Sequence, residues 1–401
     1  MRRVLILLTA ILLIVVIVFA VLIVRQGGIT GITGNGGNTP TPNASSTSTT
    51  THPATGILHV QGIRTVDASG HPVILRGGQI ESPFNNIKGW GSSKKVSATL
   101  NSKTFQVMAQ TWKMNALRLP TSNWIYAKYT ANYLSELDQV VQEANAAGLY
   151  VVLDLHDDAK SGSPYGSNAN LPKTEDIAYW SAIAAHFKNN PMVMYDVYNE
   201  PQYTSWDTWA NGGTNVGGAQ VVSIQALVNA IRSAGGQQII VVEPGSAGHQ
   251  TGATAESGGW TNFPIADAIK DPNVIYSLHV YSNIAQSTQQ QDAKWGPILN
   301  KYPLFYGEWA FLPNAPGSSG ANKCSGVPHD QASQIVENFL NYMASHNAGW
   351  VAWYFLPHYL VQNFNNYTPT TLQTNWTCGD QNTTDVGMGE IIKQYLTIHG
   401  S

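Results

Sequence analysis

Eight short apolar runs recur along the chain and restrict the folds that are open to it. Each run is rich in Val, Ile, Leu and Tyr, and amphipathic helical stretches separate several of them. Strands that alternate with helices are typical of a parallel sheet, because each helix returns the chain to the same edge. Eight such units predict an α/β fold of the (β/α)8 TIM-barrel class. The predicted strands are residues 73–79, 116–120, 150–156, 193–200, 238–244, 274–281, 304–309 and 349–355.

Four further segments refine this prediction. Residues 57–62 and 64–70 precede the first barrel strand and predict a small hairpin that closes the bottom of the barrel. Residues 132–148 carry apolar side chains at helical spacing and predict a helix that ends at Gly148. Residues 330–349 predict a second helix of the same kind.

Nearly every predicted strand ends in polar or aromatic side chains that a barrel core would not select. In a parallel barrel the carboxyl ends of all strands open on one face, so residues far apart in the chain should meet in one bowl. This convergence predicts the functional site. The residues concerned are Arg118, Asp154, His156, Asn199, Glu200, Glu243, His279, Tyr281, Glu308 and Trp353.

Two of these residues, Glu200 and Glu308, lie on predicted strands that should face each other across the bowl. Cleavage of a glycosidic bond needs one carboxylic acid to protonate the leaving oxygen and one carboxylate to attack the anomeric carbon. In a retaining enzyme the two carboxyl groups lie about 5 to 5.5 Å apart, whereas an inverting enzyme needs roughly 6.5 to 9.5 Å to admit a water.

The order of these motifs resembles glycoside hydrolase family 5, the cellulase family of retaining (β/α)8-barrel glycosidases, over the whole barrel. That family carries an Arg on strand two, a His after strand three, Asn-Glu on strand four, His-x-Tyr on strand six, Glu on strand seven and Trp on strand eight. The corresponding residues here are Arg118, His156, Asn199, Glu200, His279, Tyr281, Glu308 and Trp353. The resemblance implies that Glu200 is the acid/base and Glu308 the nucleophile.

The chemistry of the neighbouring residues agrees with those roles. Arg118 beside Glu308 would hold the carboxylate ionised, and Tyr281 could donate a hydrogen bond to it. Glu200 must be protonated for the first step, so it is expected in surroundings that raise its pKa, with His279 as a partner in proton exchange. Asn199 is expected to bind the sugar 2-hydroxyl.

Aromatic side chains in the loops after the strands suggest a polysaccharide cleft, because flat rings cover the C–H faces of sugars. Trp353 is expected to stack on the sugar ring, and Trp124 and Trp309 are the strongest further candidates for substrate contact. Ordinary packing of the loops onto the barrel is the alternative for each ring. The other candidates are Trp206, Trp209, Trp260 and Tyr359.

Several alternatives stay open at this point. The two glutamates could be buried partners of arginine, Arg118 could form a core salt bridge, and the histidines could be structural. Asp154 and Glu243 are expected to support the site rather than to react. A zinc site built from His156, Asp157, Asp158 and His279 lacks a supporting His-x-His or His-Glu-x-x-His motif, and a Gly-x-Ser-x-Gly elbow is absent. No metal and no cofactor are therefore expected.

The composition of the chain indicates which class of molecule the protein binds. Charged residues make up 11% of the chain and the formal net charge is −3, without a basic cluster, which gives no reason to expect nucleic acid as a partner. A neutral β-linked polysaccharide is a better match for this surface. We expect the protein to be a monomer. The resemblance favours an endo-β-1,4-glucanase, with a β-mannanase or another β-glucanase as the alternative. A tethered glycan-binding protein without activity would be expected to lack one of the two glutamates.

The first 25 residues form a separate region. Residues 4–24 are apolar except for Thr9 and follow Arg2 and Arg3. As a helix, with a rise of about 1.5 Å per residue, they would extend about 31 Å, enough to cross a bilayer. They predict an uncleaved anchor with the rest of the chain outside the cell, or a long signal peptide that leads to secretion.

Residues 26–56 are almost wholly Gly, Ser, Thr, Asn and Pro, so they predict a disordered linker before a catalytic domain at 57–401. The only cysteines in the sequence, Cys324 and Cys378, belong to this domain. Outside the cell they could form a disulfide, which would stabilise the fold by roughly 4 kcal/mol in the chain-entropy model. Two free thiols are the alternative.

Deletion of residues 1–56 should give a soluble domain that keeps its activity, because the predicted linker carries no part of the bowl. Fractionation of cells that express either form checks this: the full chain should sediment with membranes and resist extraction by salt. If expression of the full-length chain instead releases a shortened protein into the medium, residues 4–24 act as a signal peptide. An inactive deleted form would contradict the assignment of this segment as a tether.

Overall fold

The computed structural model describes residues 56–80, 99–156, 171–203, 205–214, 218–244, 269–281, 284, 287–311, 332–357, 359–371 and 388–400. Among these residues, no helix combines the length and the apolar character needed to cross a bilayer. The predicted membrane segment at 4–24, the linker up to residue 55, and Cys324 and Cys378 lie outside the described ranges. Those expectations remain predictions.

A closed barrel of eight parallel strands forms the centre of the domain, which confirms the predicted fold class. Each predicted strand supplies one barrel strand, and each strand pairs in parallel with two neighbours. In order around the ring they are β3 (Arg76–Gln79), β4 (Ala116–Thr121), β5 (Tyr150–Leu155), β6 (Val193–Asp196), β9 (Ile240–Val242), β10 (Val274–Val280), β11 (Leu304–Trp309) and β12 (Gly349–Ala352).

Two antiparallel pairs accompany the barrel. The predicted hairpin is present as β1 (His59–Gln61) and β2 (Arg64–Val66). Leu58 and Val60, at its first strand, pack on the side chains inside the lower barrel, and the backbone N–H of Val60 donates to Asn273 Oδ1 over 2.8 Å. The hairpin therefore covers the barrel floor, as predicted. A smaller pair, β7 (Gly213–Thr214) and β8 (Gln220–Val221), lies in the chain between β6 and β9.

Helices pack around the barrel and bury its outer face. They are α1 (Ser102–Gln106), which continues into a π-helical turn at Val107–Thr111, α2 (Asn123–Ala147), α3 (Thr174–Phe187), α4 (Trp206–Asn211), α5 (Ile224–Ser233), α6 (Thr288–Leu299), α7 (Ala332–Ser345) and α8 (Gly389–His399).

The two predicted helices correspond to α2 and α7. Helix α2 ends at Gly148, whose φ of 97° is the left-handed conformation that closes many helices and that glycine adopts without steric cost. It begins at Asn123, earlier than predicted, because a helical segment joins it across a kink at Tyr129.

The barrel interior changes in character along its length. Its lower half holds apolar side chains that include Leu75, Val152, Ile275 and Val351. Above them the interior becomes polar: Gln79, Arg118, Asp154 and Asp196 are all buried on neighbouring strands. This change places a polar cluster at the carboxyl ends of the strands, where the bowl was predicted.

Candidate active site

Arg118 on β4 lies at the centre of the polar end of the barrel and has no exposed surface. Burial alone would lower its pKa, but the surrounding carboxylates raise that pKa well above its usual value. The guanidinium is therefore a fixed positive charge. It contacts Gln79 Oε1 (2.7 Å), Glu308 Oε1 (2.6 Å), Asp196 Oδ2 (3.0 Å from Nε), Asn199 Oδ1 (3.1 Å), Asp154 Oδ1 (3.1 Å) and Glu243 Oε1 (3.2 Å).

Glu308, near the end of β11, receives hydrogen bonds from two sides. Arg118 Nη1 donates to Oε1 over 2.6 Å, and the Tyr281 hydroxyl donates to Oε2 over 2.5 Å. Burial, followed by the charge of Glu308, raises the pKa of Tyr281 well above its usual value, so the phenol keeps its proton. Both contacts favour a carboxylate, as the sequence predicted for a nucleophile.

A local irregularity of β11 directs Glu308 into the bowl. On the β10 side the register shifts between Leu278 and His279, and on the β12 side it shifts between Tyr306 and Trp309. Gly307 is the residue at this β-bulge. Such bulges often turn a side chain toward an active site.

Glu200 follows β6 and faces the same bowl, with 24% of its side chain exposed. Its backbone has a φ of 42°, the left-handed region that a non-glycine residue rarely occupies, and its N–H donates to Glu243 Oε2 over 2.6 Å. His279 Nδ1 lies 2.9 Å from Glu200 Oε1 and 3.5 Å from Glu308 Oε2. One oxygen from each glutamate and one His279 nitrogen lie within 4.8 Å of one another.

The expectation that the surroundings raise the pKa of Glu200 is wrong. Burial acts in that direction, but the hydrogen bond and the positive charge of His279 outweigh it and lower the pKa of Glu200. Burial would lower the pKa of His279, yet Glu243, Glu308 and Glu200 together raise it well above its usual value. The proton that Glu200 would need therefore resides on the adjoining imidazole.

The remaining predicted residues lie around this centre. His156 Nδ1 is 2.7 Å from Asp154 Oδ2; burial opposes its charge, but Asp154 raises the pKa of His156 to about 9. Asn199 is buried and its side-chain oxygen accepts from Arg118. The Trp353 ring is partly exposed and meets the Tyr281 ring edge to face, with centroids 6.5 Å apart.

Two expectations about aromatic residues are wrong. Trp309 has no exposed surface, because it lies on the outer side of β11 and packs edge to face against Phe339 and Trp350. Trp209 is also buried, and its Nε1 donates to the backbone carbonyl of Glu243 over 2.7 Å. Neither ring can offer its face to a sugar. Trp124 is partly buried in the first turn of α2 and stays a prediction.

The sequence did not indicate a role for two residues of the polar cluster, Gln79 and Asp196. Both accept hydrogen bonds from Arg118, and burial raises the pKa of Asp196 well above its usual value. A polar residue in a buried parallel strand is the signal that could have found them. Asp157 and Asp158 of the zinc alternative lie outside the described residues.

The family model described as cellulase, glycosyl hydrolase family 5, matches residues 66–359. Endoglucanase Z of Dickeya dadantii is 24% identical over 274 residues, which cover 64% of this chain and 55% of that protein. An endoglucanase of Paenibacillus polymyxa is 26% identical over 291 residues, covering 65% of this chain and 65% of the relative. The chain thus spans little more than half the length of such relatives.

Solved structures agree in fold. The β-glucanase SdGluc5_26A of Saccharophagus degradans matches with a TM-score of 0.63 at 18% identity, over 87% of this chain and 95% of that one. The catalytic domain of Thermobifida fusca endoglucanase Cel5A matches with a TM-score of 0.57 at 19% identity, over 85% and 97%. Complexes of both proteins with cellotetraose are known.

Gly307→Ala should destabilise the protein, because a Cβ at this position would lie 2.5 Å from Ser277 Oγ and 3.2 Å from His279 Nε2. Overpacking of this kind costs about 1 to 3 kcal/mol. The loss should appear as a lower free energy of unfolding in urea. Removal of the hydroxyl in Ser277→Ala/Gly307→Ala should recover part of it, and a double mutant no more stable than Gly307→Ala would argue against this contact.

Proposed function

This chain belongs to glycoside hydrolase family 5, the cellulase family, and on that premise we propose that it cleaves internal β-1,4 bonds of a glucan with retention of configuration. The observation that carries the proposal is the approach of Glu200 and Glu308 within the bowl. Their closest oxygens lie within 4.8 Å of each other, with His279 between the same two groups. Such a close approach is compatible with the carboxyl separation of about 5 to 5.5 Å at which a retaining enzyme attacks directly.

In the first step Glu308 attacks the anomeric carbon and forms a glycosyl ester, while the bond to the leaving sugar oxygen breaks. Arg118 and Tyr281 hold the two oxygens of Glu308, so the attacking carboxylate has a fixed orientation before substrate arrives. Asn199 already accepts from Arg118 through its side-chain oxygen. Its NH2 group is then the part that would bind the sugar 2-hydroxyl.

Protonation of the leaving oxygen falls to Glu200, with the proton supplied through His279. In the open site the charged pair of carboxylate and imidazolium is stable, because water still reaches Glu200. A sugar chain that fills the bowl removes this water and disfavours the charged pair relative to neutral Glu200 and neutral His279. Glu200 then gives its proton to the leaving group and later takes one from the water that hydrolyses the ester.

The choice of β-1,4-glucan draws on the relatives. The curated relatives named above are endoglucanases, and the cellotetraose complexes place a β-glucan oligosaccharide in two proteins of this fold. Trp353, partly exposed beside Tyr281, offers a ring face for the sugar next to the nucleophile. A β-mannanase remains the second candidate, because the residues that surround the two glutamates do not themselves select the sugar.

The location of the protein is part of the same proposal. An insoluble or large glucan cannot enter a cell, so the enzyme would act outside it, held by residues 4–24 or secreted after their removal. The run of apolar residues at 4–24 and the polar composition of 26–56 support this arrangement.

The two glutamates should differ when each is replaced by its amide. Glu308→Gln should lose turnover by on the order of 10³-fold or more on every substrate, because no ester can form. Glu200→Gln should still release a good aryl leaving group, which needs no proton, and then accumulate the ester. Stopped-flow release of nitrophenol should show this burst only in Glu200→Gln.

Glu175→Gln, on the exposed side of α3, is the matched control and should behave as wild type. A burst in Glu308→Gln in place of Glu200→Gln would reverse the two roles.

Proton NMR of the first products should show the β anomer, and an initial α product would contradict the retaining mechanism.

Reducing-sugar assays on carboxymethylcellulose, glucomannan, laminarin and xyloglucan should give the highest kcat/KM on carboxymethylcellulose. Cleavage within the chain should lower the viscosity of that polymer before much reducing sugar appears. A preference for glucomannan with little action on carboxymethylcellulose would favour the mannanase. Absence of hydrolysis on all four, with binding retained, would favour the glycan-binding alternative.

A further inference from the structure

We propose that Glu243 is a positioning residue that holds the backbone of Glu200 and the charge of His279 in their working states. The inference rests on the proposed role of Glu200 as acid/base. Glu243 follows β9 and has no exposed surface. Its Oε2 accepts the Glu200 N–H over 2.6 Å, and its Oε1 lies 3.0 Å from His279 Nε2 and 3.2 Å from Arg118 Nη2.

The contact with Glu200 acts on the backbone. At a φ of 42° Glu200 is in a conformation that costs free energy for a residue with a side chain, and it persists only where neighbouring groups enforce it. A charged acceptor 2.6 Å from the Glu200 N–H is such a group. Glu243 therefore fixes the direction in which the Glu200 side chain leaves the backbone.

The contact with His279 acts through charge. The ring N–H at Nε2 is not aligned for a linear hydrogen bond with Glu243 Oε1, so the close approach is an ion pair. Glu200 and Glu308 approach the opposite nitrogen, Nδ1. Asp154 on β5 and Asp196 on β6 also interact electrostatically with His279. Arg118 on β4 binds Glu243 and Glu308, and Tyr281, which follows β10, donates to Glu308.

Glu243 differs from the other two carboxylates in contact with His279 because the reaction does not use it. Glu308 loses its charge when it becomes an ester, and Glu200 gains and loses a proton in each cycle. Glu243 forms no bond to the sugar in this mechanism, and it approaches the other ring nitrogen, Nε2. It is also anchored at both ends: Trp209 Nε1 donates to its backbone carbonyl over 2.7 Å, and Arg118 binds its carboxylate.

Glu243→Gln tests the role of the charge, because the amide keeps the shape and removes the negative charge beside His279. The pKa of the proton shared by His279 and Glu200 should fall, since a neighbouring anion that favoured the proton is gone. The alkaline limb of the kcat/KM profile, which reports loss of that proton, should move to lower pH by about one unit or more.

Two variants provide the controls. Asp196→Asn changes another buried carboxyl that contacts Arg118, but Asp196 lies against the guanidinium and not against the His279 ring, so the alkaline limb should move less than in Glu243→Gln even if the rate falls. Glu243→Asp restores the charge but shortens the reach to the Glu200 N–H. It should return the limb toward the wild-type pH while kcat stays low.

Titration of His279 by nitrogen NMR in the substrate-free protein gives a readout that needs no activity. Wild type should show an imidazolium at pH 7, and Glu243→Gln should lose that charge at a lower pH. An unmoved alkaline limb with an unmoved His279 titration would overturn the proposal while wild-type hydrolysis still supports the proposed function. If the wild type is inactive but His279 titrates as expected in both proteins, the proposed function is rejected and the coupling between Glu243 and His279 is supported. If Glu243→Gln fails to fold, a neutral His279 in wild type at pH 7 overturns the proposal.

Discussion

One buried guanidinium organises the catalytic end of the barrel. Arg118 contacts four carboxyl groups that arrive on four different strands or the loops that follow them, together with the amides of Gln79 and Asn199. Carboxyl groups cannot crowd into a space without water unless a cation compensates their charge or a proton neutralises them. Arg118 supplies the cation here, and burial raises the pKa of Asp196 well above its usual value, which favours the neutral carboxyl at that position. The position of Glu308 follows from this arrangement, since its carboxylate is one of the groups that Arg118 binds.

Strand order and the polar strand ends could be read from the amino-acid sequence because both depend on local patterns. A run such as 150–156 is apolar until its last residues, and the parallel barrel brings such ends together. The burial of Trp309 could not be read in the same way. Its neighbour Glu308 faces the bowl only because β11 bulges at Gly307, and the pairing that creates the bulge involves two other strands. The protonation of Glu200 likewise depends on His279, Glu243 and Glu308, which meet only in the folded protein.

In the proposed mechanism, the pair formed by Glu200 and His279 would let a carboxyl group with a lowered pKa act as an acid. The proton is stored 2.9 Å away on the imidazole, and the balance between the two sites depends on how much water reaches them. An exposed Glu200 favours the charged pair, and a filled bowl favours the neutral one. In the proposed mechanism, binding of the substrate would therefore make Glu200 ready to donate its proton.

Glu308 and Trp309 are adjacent in the chain but face opposite sides of β11. Glu308 faces the bowl, and Trp309 packs against Phe339 of α7 and Trp350 of β12. Neighbouring α-carbons are only about 3.8 Å apart, so a shift of the backbone at Trp309 would also move Glu308. A redesign of the contact between α7 and the barrel to raise thermal stability would therefore be expected to change turnover as well. The packing of α7 on the barrel and the geometry of the bowl thus depend on the same stretch of backbone, Glu308 and Trp309.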